Sequence, residues 1–559
     1  MKTSSNSFIS QLIVALPLAV FIIFFFFYVL NVAWFDDYES LSGFFLEFQN
    51  APTWSEKAYW LFLPNNEHRM VTAKLLVLAT YYLTGELQYV WMQALANLTE
   101  VFIWVLFLLA FRRMRLSLWY FLPVTLFMFQ PQHYLLTFLT NAGLQHEPLL
   151  FFAFATLFVL AKGTPASAAG ALVLAFITTF TMSNGMFVWI AGGIILVLRK
   201  RYSFLLIWGL AMALAIAGYY YHYPSTANGK SFSKFLEAPQ LSLLGFFTYL
   251  GAAFDFFPNA SAPWRYILPT LAGVGLMTIA VLWFRKNIWP VLLGYFRTTG
   301  ASSVPDQERF VQDFLLGTAL FLLANNTIIA VLRPHFGYHV MLISNYKLYP
   351  TLFLCVAYMA WLSMRRDYAR TPKWLIPASV LIYLGLYLAY FPIVEDRRKN
   401  LLTATFNQYH AGIGLGATRG SFLEPYIQNN FMTPLEKGIY NPPIHFFDPV
   451  LAQSAESQVL SLQTQETATH YLLTQPDLTV PRGRNSLLLL HVKSTERPDQ
   501  YLIPFQALPN TGRNPFRPGV GGKAELPKDM LRPGAYELQV LYQDGTTLKR
   551  YPTLNKLSI

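Results

Sequence analysis

A single cysteine, Cys355, serves a chain of 559 residues. It falls inside an apolar run, so no intramolecular disulfide can form, and nothing supports a thiol-ligated metal cluster. Charge is scarce as well. Asp, Glu, Lys and Arg make up 13% of the chain, against about 25% in soluble domains. Apolar residues take their place, at 54% hydrophobic and 17% aromatic. They come in repeated long runs, the pattern of a polytopic membrane protein. The formal charge of +12 does not point to nucleic acid, because the basic residues stand in short clusters at the ends of apolar runs, where membrane topology puts them. The first run, Phe8 to Ala33, is too long for a cleavable signal peptide, and no small-residue cleavage site precedes Trp34.

The expected fold is a polytopic α-helical membrane protein of about eleven spans, with juxtamembrane helices and a small C-terminal β-sandwich. The spans are Phe8–Ala33, Gln88–Phe111, Leu116–Phe129, Pro148–Ala161, Ala166–Phe180, Met186–Leu198, Phe204–Tyr219, Tyr266–Phe284, Phe310–Leu332, Leu348–Met364 and Trp374–Phe391. Several are shorter than the roughly 20 residues a crossing needs, so their ends extend into neighbouring loops. With Lys2 in the cytoplasm, the clusters Arg112-Arg113-Met114-Arg115, Arg199-Lys200-Arg201, Arg285-Lys286 and Arg365-Arg366 all fall inside. This requires that Val71–Thr84 and Leu241–Phe257 do not cross, so both are read as juxtamembrane or re-entrant helices. An odd number of spans leaves the C-terminus outside.

In this topology the outer face carries the polar chemistry, including His68, His133, His146, His335 and His339. Asp36 and Asp37 end the first span beside Trp34 and Phe35. Ionised acids so close to hydrocarbon need a partner or a cavity, and partial burial raises a carboxyl into the range of a general base. Asn66-Glu67-His68-Arg69 packs an acceptor, an imidazole and a fixed cation into four residues. The same run suits a helix start capped by Asn65 or Asn66, with Glu67 favoured by the helix dipole. Arg333, His335, His339 and Lys347 flank one outer loop, as cations around a phosphate would. Asn141, Gln145, His146 and Glu147 form a further polar group, as do Ser183-Asn184-Gly185. Amides and acids of this kind suit sugar hydroxyls. Asp255 and Arg265 rank lower. The span interiors are nearly free of charge, Glu100 and Asp313 being the exceptions.

These features resemble the GT-C superfamily of membrane glycosyltransferases, in particular the protein O-mannosyltransferases and the aminoarabinose transferase. The likeness rests on the acidic pair Asp36-Asp37 after the first span and on the long first outer loop with short helices at Tyr38–Phe48, Ser55–Phe62 and Val71–Thr84. The span count and an outer domain after the last span agree with it. It covers residues 1–392. The resemblance implies a polyprenyl-phosphate-linked sugar as donor and inverting transfer to a hydroxyl of a glycan, lipid or protein acceptor. Asp36 or Asp37 would be the base. Arg69, Arg333, Lys347 and His335 would hold the departing phosphate, and Asn66, Glu67, His68, Gln145, His146, Asn184 and Tyr346 would line the substrate. Some members use a divalent metal, for which Asp37, Glu67 and His68 are the candidates. Many members carry Asp-Glu where this chain has Asp-Asp. The implied setting is a bacterial inner membrane with the N-terminus cytoplasmic. A flippase or transporter of lipid-linked glycan, or a glycan ligase or polymerase, is the competing reading.

After Phe391 the composition changes. Residues 393–457 read as a helical and loop-rich linker, and residues 458–559 as the extracytoplasmic β-sandwich. Its strands are expected at Ser486–Ser494, Tyr501–Leu508, Ala535–Tyr542 and Thr547–Tyr551, punctuated by Pro, Gly and Asn. No Ser-His-Asp order, zinc signature or phosphate loop occurs there.

Overall fold

The computed structural model describes residues 2–224, 235–296, 305–364, 373–508 and 519–559. The basic pair Arg365-Arg366 lies outside them. Among the described residues, seven helices are long and apolar enough to cross a membrane: Phe8–Tyr28, Tyr89–Arg113, Thr140–Ala161, Tyr202–Tyr220, Trp264–Leu293, Asp306–Leu332 and Leu375–Ala411. Three more of the expected spans are apolar helices of 10–17 residues, Pro165–Thr181, Ser183–Leu198 and Leu348–Ser363. The remaining one, Leu116–Phe129, is broken into a tight turn at Leu118–Phe121 and a seven-residue helix, Leu122–Met128. The chain is thus a membrane-embedded helical protein.

Two expectations about polar residues are corrected. The helix expected to start at Pro148 starts at Thr140. Asn141, Gln145, His146 and Glu147 therefore stand on its first turns, and all but Gln145 are buried. Proline inside a helix removes one backbone hydrogen bond but does not forbid the turns before it. The Asn-Glu-His run is not a helix start. Asn65 and His68 exchange both backbone hydrogen bonds, each at 2.9 Å, closing a hairpin-like turn. Asn66 takes its first central position with φ of 48°, a conformation Asn tolerates. The helix begins only at Val71.

The chain divides into two compact units: residues 1–27, 47–76 and 92–391, and residues 28–46, 77–91 and 392–559. The first is the helical bundle. Its core is aromatic and aliphatic, with Trp189 and Trp208 packed at 4.7 Å. Its helices also expose apolar stripes. Leu206, Leu210 and Leu214 of Tyr202–Tyr220 are 68%, 60% and 69% exposed. A row of leucines at i, i+4 and i+8 left open is a surface for lipid, not for water.

The second unit holds two four-stranded antiparallel sheets over one core. The strands are β1 (Gln463–Glu466), β2 (His470–Gln475), β3 (Leu487–Ser494), β4 (Gln500–Pro504), β5 (Gln506–Ala507), β6 (Gly522–Pro527), β7 (Ala535–Asp544) and β8 (Thr547–Ser558). The sheet orders are β1-β2-β6-β5 and β4-β3-β7-β8. Leu473, Ala524 and Leu526 of one sheet meet Leu488, Leu490, Val492 and Val540 of the other. β3 is apolar on both faces because its other face, Leu487 and Leu489, packs on Leu402, Phe406 and Phe447. Residues 28–46 and 77–91 join this unit through specific bonds. The Ala33 amide donates to Tyr440 Oη at 3.1 Å, and Tyr89 N to Asn31 Oδ1 at 2.8 Å. Phe35 N donates to Leu415 O at 3.0 Å.

Candidate functional site

The acidic pair lies in the second unit, on the turn that ends the first span. The turn is tight. Phe35 holds φ of 50°, uncommon for an aromatic residue and a mark of stored strain. A Cβ on Gly416 would stand 2.9 Å from Phe35 Cα, so this approach needs glycine. Asp37 N donates to Trp34 O at 3.1 Å, and the Asp37 carboxylate accepts from Trp34 N at 2.9 Å. Asp37 is fully buried and lies within electrostatic reach of the phenols of Tyr38, Tyr89 and Tyr440. Asp36 differs. It is half-buried, and its backbone carbonyl accepts from Ser40 Oγ at 2.6 Å. Burial, and then the charge of Glu39, push its carboxyl above the ordinary range. The Arg397 guanidinium covers the Trp34 ring at 4.6 Å. The two acids are therefore not equivalent: one closes the turn, the other keeps a raised carboxyl.

The other expected site residues belong to the first unit. The turn at Asn65–His68 docks on the loop after Pro165–Thr181. His68 Nδ1 is 2.8 Å from Ser183 Oγ, and Thr72 Oγ1 is 2.7 Å from Thr181 Oγ1. Asn184, next in that loop, donates to Asn325 Oδ1 and, at 3.4 Å, to Tyr349 Oη. His146 Nδ1 is 2.9 Å from the same Tyr349 hydroxyl, and the His146 ring stands edge-on to Tyr346 at 5.6 Å. One network thus joins His68 and Asn184 through their shared loop, and Asn184 to His146 through Tyr349. Gln145 is half-buried beside His146. Burial, then Arg333, lower His68 to about 4 against the opposing charge of Glu67, so His68 is a neutral hydrogen-bonding group. Asn184 Oδ1 and Asn345 Oδ1 are buried acceptors without a partner among the described residues, a state that calls for a ligand or water.

The expected phosphate cations separate into two kinds. Arg69 is buried, with Nε donating to Tyr219 O at 2.6 Å and its other nitrogens to Phe62 O and Tyr221 O. Lys347 is buried against Asp255 at 2.7 Å. Asp255 also takes Arg265 at 2.7 Å and the Tyr390 hydroxyl at 2.8 Å. Burial alone would raise the Asp255 carboxyl, but Lys347 and Arg265 outweigh it and hold it below its ordinary value. Both Arg69 and Lys347 thus hold the fold together. Arg333 is different. It is half-buried over the Phe336 ring at 5.8 Å, within electrostatic reach of His68 and His146. Among the described residues no carboxylate pairs with it. His335 caps its own turn, with Nδ1 2.6 Å from Leu332 O.

Glu67 and His68 bring no third metal-ligating residue with them in the helical unit. Among the described residues no group of three or more His, Cys, Asp or Glu could hold a metal ion. Sequence reasoning missed Asn325 and Tyr349, which complete the polar network. Asn325-Asn326 inside an apolar run was the available signal for the first. It also undervalued Asp255. No protein-family model, curated protein or solved structure matches this chain.

Proposed function

We propose that the chain is a membrane glycosyltransferase that moves a sugar from a polyprenyl-phosphate donor to an acceptor hydroxyl. Asp36 is its base. The observation that carries the reading is the unequal acid pair after the first span: Asp37 tied into its turn, Asp36 half-buried with a raised carboxyl. A carboxylate in that state takes a proton from a hydroxyl more readily than a solvated one. The hydroxyl oxygen then attacks the anomeric carbon, the bond to the phosphate oxygen breaks, and polyprenyl phosphate leaves with inversion. A departing phosphate needs a cation; within the helical unit Arg333 has no carboxylate partner among the described residues, and the neutral His68 and the amide of Asn184 there suit sugar hydroxyls.

The test supplies the purified chain in lipid with labelled polyprenyl-phosphate sugars and candidate acceptors. Acceptor-dependent release of polyprenyl phosphate supports the reading. The transporter reading has one observation in its favour, the fully buried ionisable residues Glu100, His133 and Glu147. Movement of intact lipid-linked sugar between leaflets, with no release of polyprenyl phosphate from any donor, would establish that reading instead.

A further inference from the structure

Two acids and an imidazole meet inside the helical bundle, apart from the network described above. Glu100 sits near the middle of the 25-residue helix Tyr89–Arg113. Glu147 stands two turns into Thr140–Ala161. The register between these helices is set by two successive pairs. Gln93 Nε2 donates to Thr140 Oγ1 at 2.9 Å. One turn on, a Cβ added at Gly143 would lie 3.2 Å from Ala96 Cβ and 2.7 Å from Leu136 O. The contact therefore needs glycine, and the two backbones run close together in the same direction. Four residues further along each helix, on the same faces, come Glu100 and Glu147. His133, on the short turn Pro131–His133, places Nε2 at 3.3 Å from Glu100 Oε2.

All three side chains are fully buried. Among the described residues none of the four carboxylate oxygens and neither ring nitrogen has a hydrogen-bond partner, although His133 stands close enough to Glu100 for charge pairing. The other neighbours do not neutralise them. Cys355, within reach of Glu100, turns its Sγ to Val124 O, and Phe21 lies against the His133 ring at 6.2 Å.

Facing carboxylates in a dry interior cannot both stay ionised. With both charged, the carboxylates repel each other in a site without water's screening, and one added proton relieves that repulsion. A metal is the poorer occupant, since these groups do not form a metal-binding set. We propose that Glu100, His133 and Glu147 are a proton-binding site within the membrane bundle, in which the two carboxylates share a proton beside the imidazole. This site is independent of the transferase reading and survives its failure.

Infrared difference spectroscopy of the full chain in lipid nanodiscs tests it. The expected result is a protonated-carboxyl C=O band, shifted in D₂O, that persists at mildly alkaline pH where exposed acids are ionised. Glu147→Gln removes the band. His133→Gln keeps the band, because the two carboxylates that share the proton remain. Should Glu147→Gln fail to fold, ¹³C-glutamate labelling of the wild-type chain shows whether the band belongs to glutamate. Absence of a glutamate band at that pH, a band untouched by Glu147→Gln in folded protein, or its loss on adding sodium would each overturn the proposal, the last in favour of a cation site.

Discussion

The Asp37 carboxylate accepts the Trp34 amide at 2.9 Å and so closes the turn that presents Asp36. This bond separates the roles of two neighbouring and chemically identical side chains. Asp37→Ala leaves the half-buried Trp34 amide without its acceptor and is expected to cost about 1–2 kcal/mol. Asp37→Asn keeps an oxygen in place and is expected to cost less. Thermal unfolding of the detergent-solubilised chain, ranking wild type above Asp37→Asn above Asp37→Ala, checks this. Asp36→Asn is expected to leave the melting temperature almost unchanged.

Asp255 holds two cations, Lys347 and Arg265. Its replacement by Asn would leave those cations facing each other in a buried site. Lys347→Met leaves the Asp255–Arg265 pair intact. Breaking a buried pair by removing one partner costs about 3–5 kcal/mol, and Asp255→Asn is expected to reach that range while Lys347→Met falls well below it. Comparison of the two melting temperatures decides the point. Equal losses would mean that Arg265 contributes nothing to the site.

His68 predicts a pH dependence. The folded chain keeps it neutral down to about 4, against an ordinary value of 6.5. Between those values the unfolded chain binds the extra proton, so stability is complete above 6.5 and declines as pH falls towards 4. His68→Gln is expected to flatten this part of the stability–pH curve. An unchanged slope in the variant would assign the effect to another group.

Much of the architecture was legible because it rests on local pattern. The short apolar helix Val71–Thr84 has the bounds its sequence suggests, and β3 and β7 fall where apolar and aromatic runs between turn residues put them. The start of the helix at Thr140 was misread because Asn141, His146 and Glu147 look like loop residues until the packing around them is seen. What packs there comes from distant parts of the chain. Tyr349 meets His146 across 203 residues and Asn184 across 165, and no periodicity carries that information. Charge pairing was hidden for the same reason. Lys347 reads as a loop cation until Asp255, 92 residues away, is seen beside it. The acid pair was legible by position, but the difference between Asp36 and Asp37 was not, because it depends on one turn's hydrogen bonds.

Arg333 has no carboxylate partner among the described residues, so its charge is available to a ligand. Under the transferase reading, Arg333→Gln is expected to weaken use of the lipid-linked donor by about 10-fold or more, one charge-assisted hydrogen bond being worth about 1.5–3 kcal/mol. Arg333→Lys should restore part of the loss. Donor titrations of the three proteins measure it, with melting temperature as the control for folding. Identical donor dependence in wild type and Arg333→Gln would remove Arg333 from the phosphate site.

The most direct measurement is the rate of sugar transfer from a polyprenyl-phosphate donor by wild type and by Asp36→Asn, both folded and reconstituted in lipid. A general base contributes about 10²–10⁴-fold. The account predicts a loss of that size in Asp36→Asn, with wild-type activity rising with pH through a value above the ordinary 3.8 of an aspartate. Transfer by Asp36→Asn at the wild-type rate would contradict it.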